Sequence, residues 1–149
     1  KEGAIVYFTR TSDYDLSKEN VSNKKKDDLK ERLKIINNYR PDLFISIHMN
    51  KFSIEKYSGL QVYYSPNNEA SFEIAKAIQD RVCSVLQPDN TRKVKKAGSS
   101  IFLLDRITSP AILIECGFLS NENELANLKS EEYRAKLALL IFASVCERY

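Results

Sequence analysis

Apolar residues in this chain come in two patterns that alternate along it: short unbroken runs, and longer stretches in which they recur every three or four positions. Short runs rich in β-branched residues suit strands, and the three-to-four spacing suits helices with one buried face. Residues 4–8 form the first run and predict a strand, followed by the polar stretch 9–13. Residues 11–26 are polar and aperiodic and predict a long surface loop. From Asp27 a helical period begins, with Leu29, Leu33 and Ile36 on one face and Pro41 as its stop. Residues 43–49 predict a buried strand, 51–58 a loop, and 59–64 a further strand. Ala70, Ile74, Ala77, Ile78, Val82 and Val85 mark a second helix, stopped by Pro88. Residues 87–98 are polar and basic and predict a loop, and 101–104 a short strand.

The run Ala111-Ile112-Leu113-Ile114 is apolar throughout, as in a strand buried on both faces of a parallel sheet, and it ends abruptly in Glu115. Gly117 predicts a turn, because glycine takes backbone conformations that other residues resist. Asn121 and Glu124 have the spacing of a helix N-cap and its reciprocal acid. A last helix begins near Ser130 and turns Tyr133, Leu137, Leu140, Ile141 and Val145 inward. The alternation of strands and helices predicts an α/β fold, a sheet with helices on both faces. The runs 43–49 and 111–114 are its expected central strands.

Composition narrows the classes. The 149 residues are 43% hydrophobic and 29% charged, which fits one folded domain and excludes a disordered chain. No internal repeat or domain linker is visible. The 23 basic and 20 acidic residues leave a net charge of +3, too balanced to argue for nucleic acid. No apolar run approaches the length of a membrane span. Three widely spaced cysteines, Cys83, Cys116 and Cys146, make neither a disulfide framework nor a zinc knuckle. Cys83 and Cys146 fall on expected core faces of helices.

Two residues carry candidate chemistry. Ligands of open α/β sheets bind at the carboxyl ends of the strands, which is where Glu115 stands. Burial there would raise its carboxyl pKa. The alternative is a Glu115 that pairs with a nearby Arg or Lys and only supports the fold. His48, the single histidine, ends the run 43–49 in the same topological position. It reads either as a metal ligand or as a partly buried histidine bonded to a backbone carbonyl. One His and one Glu do not make a zinc site, which usually takes three protein ligands.

The motifs carry a resemblance. Thr9-Arg10 with Asp13, Arg32 and Asn37, D-L-F-I-S-I-H-M-N at 42–50, G-L-Q-V-Y-Y at 59–64, and P-A-I-L-I-E-C-G-F-L-S-N at 110–121 with Glu124 together resemble the zinc-dependent N-acetylmuramoyl-L-alanine amidases of bacterial cell walls. The likeness is greatest to the sporulation and germination-specific branch, which prepares spore cortex peptidoglycan. The resemblance implies a twisted, largely parallel sheet flanked by helices. It implies one zinc ion with His48 as a ligand, and Glu115 as the catalytic acid/base. The substrate would be the amide between the lactyl group of N-acetylmuramic acid and L-alanine. Zinc would lower the pKa of its bound water and polarise the amide carbonyl. Arg10 and Asn50 become candidates for substrate contact, and the basic loop 92–96 either meets stem-peptide carboxylates or is solvated surface. The implied partner is peptidoglycan, outside the cytoplasm in cell wall or spore cortex.

The chain also departs from the pattern. The family's first histidine lies in a Gly-His-Gly-Gly strand end, and a Glu ligand follows on the next helix; neither is in this sequence. Residues 1–149 are therefore expected to be one amidase catalytic domain without its N-terminal strand and helix. Cys116 is a conceivable replacement ligand, but it neighbours Glu115 and is expected on the opposite side of the strand. Ile36 stands where the family usually has Ala, a packing change. By itself the chain is expected to bind zinc poorly and to be inactive. The alternative function is a non-catalytic or partner-dependent cell-wall binding module of the same fold, with a protein partner aiding metal binding.

Overall fold

The computed structural model of the chain describes residues 3–148 and divides it into two compact units, Lys1–Asp42 and Leu43–Tyr149.

In the first unit the expected strand at 4–8 does not form. These residues carry no regular secondary structure, and Ile5, Val6, Tyr7 and Phe8 are 57–80% exposed. Strand propensity is local, but a strand exists only once a neighbour completes its ladder of hydrogen bonds. Helix α1 spans Lys24–Tyr39, three residues longer at its start than the apolar period indicates. The reason is the cap: Asn23 Oδ1 accepts from Lys26 N–H at 2.9 Å, and a solvated Lys24–Lys26 turn needs no apolar face. The helix ends before Pro41, where Arg40 turns left-handed (φ 46°) and donates to the Ile36 carbonyl. Asp28 and Arg32 pair on α1 through two bonds of 2.9 and 3.1 Å. Asp28 also accepts from Leu16 N–H, and Arg32 donates to Thr9 Oγ1, which ties the preceding loop to the helix.

The second unit holds a four-stranded sheet in the order β1-β4-β2-β3, formed by β1 (Phe44–Asn50), β2 (Gln61–Tyr64), β3 (Lys95–Lys96) and β4 (Ala111–Phe118). β1 runs parallel to β4, β2 antiparallel to β4, and β3 parallel to β2, so two of the three pairings are parallel. The central strand is β4. β1 lies at an edge of the described sheet rather than at its centre, with Ile45, Ile47 and Met49 at 36, 53 and 45% exposure. An apolar run states what a strand can bury, but the neighbouring elements decide what it does bury.

Helices α2 (Ala70–Val85), α3 (Glu122–Lys129) and α4 (Glu131–Cys146) cover one face of this sheet. Ile112, Ile114 and Cys116 of β4 and Val62 of β2 point to that face. They join Ile74, Ala75, Ile78 and Val82 of α2, Leu128 of α3 and Leu137 of α4 in one buried cluster. Each fully buried aliphatic side chain stabilises the fold by about 1.5–3 kcal/mol. Gln79 is buried in the same layer without an unmet bond: its Oε1 accepts from Val62 N–H at 3.0 Å and its Nε2 donates to the Leu60 carbonyl at 3.0 Å.

Three local expectations change. The loop 87–98 contains β3, two residues long. Residues 101–104 are turns, not strand: Asp105 N–H donates to the Ile101 carbonyl and Ile107 N–H to that of Leu103, while the Asn67 amide ties down the carbonyls of Asp105 and Ile107. Gly117 is not the turn after β4, because the strand runs through Glu115 and Gly117 to Phe118.

Candidate functional site at the end of the parallel strands

Residues alternate across a strand, so the buried row Ile112, Ile114, Cys116 leaves Leu113 and Glu115 on the opposite face of β4. Register then selects their neighbours. On β1, His48 is the partner of Glu115 and Ser46 that of Leu113; on β2, Gln61 is the partner of Glu115. His48, Glu115 and Gln61 thus form one row across three strands, on the face turned away from α2, α3 and α4.

Glu115 is half-buried, and desolvation alone raises its carboxyl above the ordinary value of 4.5. Its Oε2 is buried and has no hydrogen-bond partner. A buried carboxylate oxygen without a donor is costly. Among the described residues, no Arg or Lys pairs with this carboxyl. The His48 ring is exposed, with Nε2 3.0 Å from Ser46 Oγ. Asn50 closes β1, and its carbonyl accepts from Leu119 N–H at 2.8 Å. Arg10 belongs to the first unit, where its guanidinium donates to the Tyr14 carbonyl.

Past Glu115 the register slips. His48 faces Glu115 but Asn50 faces Phe118, so two steps on β1 match three on β4. This is a β-bulge, a device that re-aims neighbouring side chains. Glu124 sits against it. Its Oε2 accepts from Phe118 N–H and its Oε1 from Gly59 N–H, both at 2.7 Å. The Asn121 cap forms as expected, Oδ1 accepting from Glu124 N–H at 3.1 Å, but the Glu124 carboxylate does not return to Asn121. Asn121 N–H donates instead to the Phe118 carbonyl.

Beside this end of the sheet Phe118 stacks near Tyr57, with ring centroids 6.2 Å apart, and Phe52 meets Tyr57 edge-on at 5.1 Å. The Arg92 guanidinium lies 4.6 Å from the Phe118 ring centre and donates to the Ser58 carbonyl and to Gln61 Oε1. Sequence reasoning missed Gln61 and the bulge contacts of Glu124. A polar residue two positions before Tyr63 on an otherwise apolar strand was the available signal for Gln61.

The donor set does not amount to a zinc site. Among the described residues no group of three or more His, Cys, Asp and Glu is placed to hold a metal ion. Cys116 is 4% exposed in the core, on the other face from Glu115, and burial pushes its thiol up to about 11, away from the thiolate that binds metals.

Comparison with known proteins agrees with the fold. A family model described as N-acetylmuramoyl-L-alanine amidase matches residues 1–147. The germination-specific N-acetylmuramoyl-L-alanine amidase of Bacillus subtilis is 38% identical over 148 residues, covering 97% of this chain and 62% of that protein. The chain therefore spans less than two thirds of that relative. The structure of the CwlD amidase from Clostridioides difficile, solved in complex with the GerS lipoprotein, superposes with a TM-score of 0.91 at 38% identity, over 98% of this chain and 76% of that one. An N-acetylmuramoyl-L-alanine amidase from Clostridium difficile 630 gives a TM-score of 0.72 at 30% identity, over 80% and 63% of the two chains.

Proposed function

This chain belongs to the N-acetylmuramoyl-L-alanine amidase family, and from that premise we propose that the protein it comes from hydrolyses the amide between N-acetylmuramic acid and L-alanine in peptidoglycan, in spore cortex. The observation that carries the reading is the Glu115 carboxyl: half-buried, raised in pKa by that burial, and with an unpartnered oxygen in register with His48.

Amide cleavage needs a base for the attacking water and an acid for the leaving amine. Glu115 takes the proton as water adds to the carbonyl carbon, then gives it to the nitrogen as the C–N bond breaks and L-alanine leaves as an amine. A carboxyl whose pKa is raised toward the working pH suits both transfers. Zinc is the family's metal, and His48 would be one ligand; the other ligands would come from outside the described residues. Asn50, two residues beyond His48 on β1, would contact substrate; Arg10 is a separate candidate within the first unit. The protein would act outside the cytoplasm. A lipoprotein partner is the corresponding proposal from the relative solved with one.

The test is release of L-alanine-bearing stem peptides from cortex-type peptidoglycan by the parent protein. Glu115→Gln should keep the fold and lower turnover by about two to four orders of magnitude. Near-normal turnover by that variant would remove Glu115 from the chemistry. The single imidazole favours a second reading, a non-catalytic or partner-dependent module that binds cell wall. A parent protein that binds cortex peptidoglycan, with or without its partner, yet releases no stem peptide would select it.

A further inference from the structure

We propose that Glu124 is a positioning residue for Glu115, holding the β4 bulge in the shape that aims the Glu115 carboxyl; the inference rests on the amidase reading. The bulge follows Glu115 directly, and beyond it Leu119 N–H rather than Phe118 N–H reaches the Asn50 carbonyl of β1. Glu124 Oε2 receives the Phe118 N–H at 2.7 Å. Its other oxygen receives Gly59 N–H at 2.7 Å, two residues before Gln61, the β2 partner of Glu115. One carboxylate thus holds the chain on both sides of Glu115: three residues beyond it on β4, and at the approach to its neighbour on β2. Bonds from backbone N–H groups to an ionised carboxylate are about twice as strong as neutral ones.

The fit is close: a side chain at position 117 would make the Glu124 carboxylate give way by a few tenths of an ångström. Gly117, in the bulge, has φ 158°, and a Cβ there would lie 3.2 Å from Glu124 Oε2. Glu124 is itself held, because Asn121 Oδ1 accepts from its N–H at the start of α3. Its place in the first turn of α3 suits a negative charge, because helix N-termini favour one. Glu115, in contrast, has no hydrogen bond to fix its Oε2, so its aim depends on the backbone. A capping acid would normally return to its own N-cap, whereas here both oxygens serve the strand that carries Glu115 and the loop beside it.

The experiment uses the parent protein, cortex-type peptidoglycan, and kcat and KM per folded molecule. Glu124→Gln keeps the size but sets an NH2 group against one backbone N–H. It should lower kcat by about tenfold to a hundredfold, the cost of a small misplacement of a catalytic group. KM should stay within about twofold, as expected for an interaction felt mainly in the transition state. Glu124→Asp, which keeps the charge but shortens the reach, should show the same split and serves if the Gln variant does not fold. Ser130→Ala, which removes the side-chain cap of α4 at the opposite end of α3 from Glu124 and leaves both Glu124 bonds in place, measures destabilisation alone and should leave kcat unchanged. Wild-type kcat in the folded Glu124 variants, or a loss that Ser130→Ala shares at equal stability, overturns the proposal. If Glu115→Gln also keeps turnover, the amidase role of Glu115 has failed and takes this inference with it. If Glu115→Gln is inactive and the Glu124 variants are normal, only the positioning role falls.

Discussion

His48 and Glu115 are register partners on adjacent parallel strands, and the sheet turns both to the face away from the helices of the second unit. They are 67 positions apart in sequence and in the same row of the fold. Only one of the two is sheltered: the histidine ring is exposed, and the carboxyl is half-buried.

In the parent protein, His48→Ala should lower zinc content, as read by metal analysis after dialysis. The 149-residue chain alone should hold little zinc against a mild chelator, because its described residues place no three-donor group. A metal site reduced to one ligand loses most of its affinity. One zinc per chain retained under those conditions would show that donors exist which the present geometry does not place.

Cysteine reactivity should separate the two sides of β4. Burial pushes the Cys116 thiol up to about 11, so at pH 8 only about one molecule in a thousand carries the reactive thiolate. Cys146 is exposed. Peptide mapping after brief alkylation at pH 8 should find Cys146 modified and Cys116 untouched until the protein unfolds. Equal labelling of the two in the folded state would refute the burial of Cys116 behind Glu115.

Asp28 predicts a pH effect in the first unit. The Arg32 hydrogen bond holds its carboxyl below the ordinary value of 3.8, with Leu16 N–H helping and burial opposing. A depressed folded pKa adds stability that is present above 3.8 and lost as pH falls through the folded value. Asp28→Asn should therefore lower the melting temperature at neutral pH, and the gap to wild type should close below pH 3.8. A gap that stays constant down to the acid-unfolded state would exclude the Asp28–Arg32 pair as its source.

Ile114, fully buried beside Glu115 in β4, tests the packing under the site. Ile114→Ala should cost about 2–5 kcal/mol in denaturant unfolding, from lost burial and the cavity left behind. A cost below about 1 kcal/mol would mean that the helices collapse onto the gap, or that the layer is not packed as described.

Much of this architecture is readable from periodicity. The helical spacing of Ile74, Ile78 and Val82 locates α2, and the apolar run 111–114 locates the central strand, because both patterns reflect burial that local geometry imposes. The motifs around His48 and Glu115 likewise carry the family resemblance in residue identity alone. Pairing is different, because it belongs to two segments at once. Residues 4–8 have strand-like composition and form no strand, while Lys95–Lys96 have polar composition and form one, since Tyr63 and Tyr64 are there to receive them.

The sequence by itself determined the α/β class, the placing of His48 and Glu115 on two apolar strands, and the opposite facing of Cys116 and Glu115, which follow from residue type and periodicity; that the strands run on past both residues, to Asn50 and Phe118, it did not show. Only the tertiary structure decided that His48, Glu115 and Gln61 share one row, that β4 bulges after Glu115, and that the Glu124 carboxylate holds Phe118 and Gly59 instead of completing its own cap. Register and bulges depend on which backbone groups meet across a sheet, and no single segment carries that information.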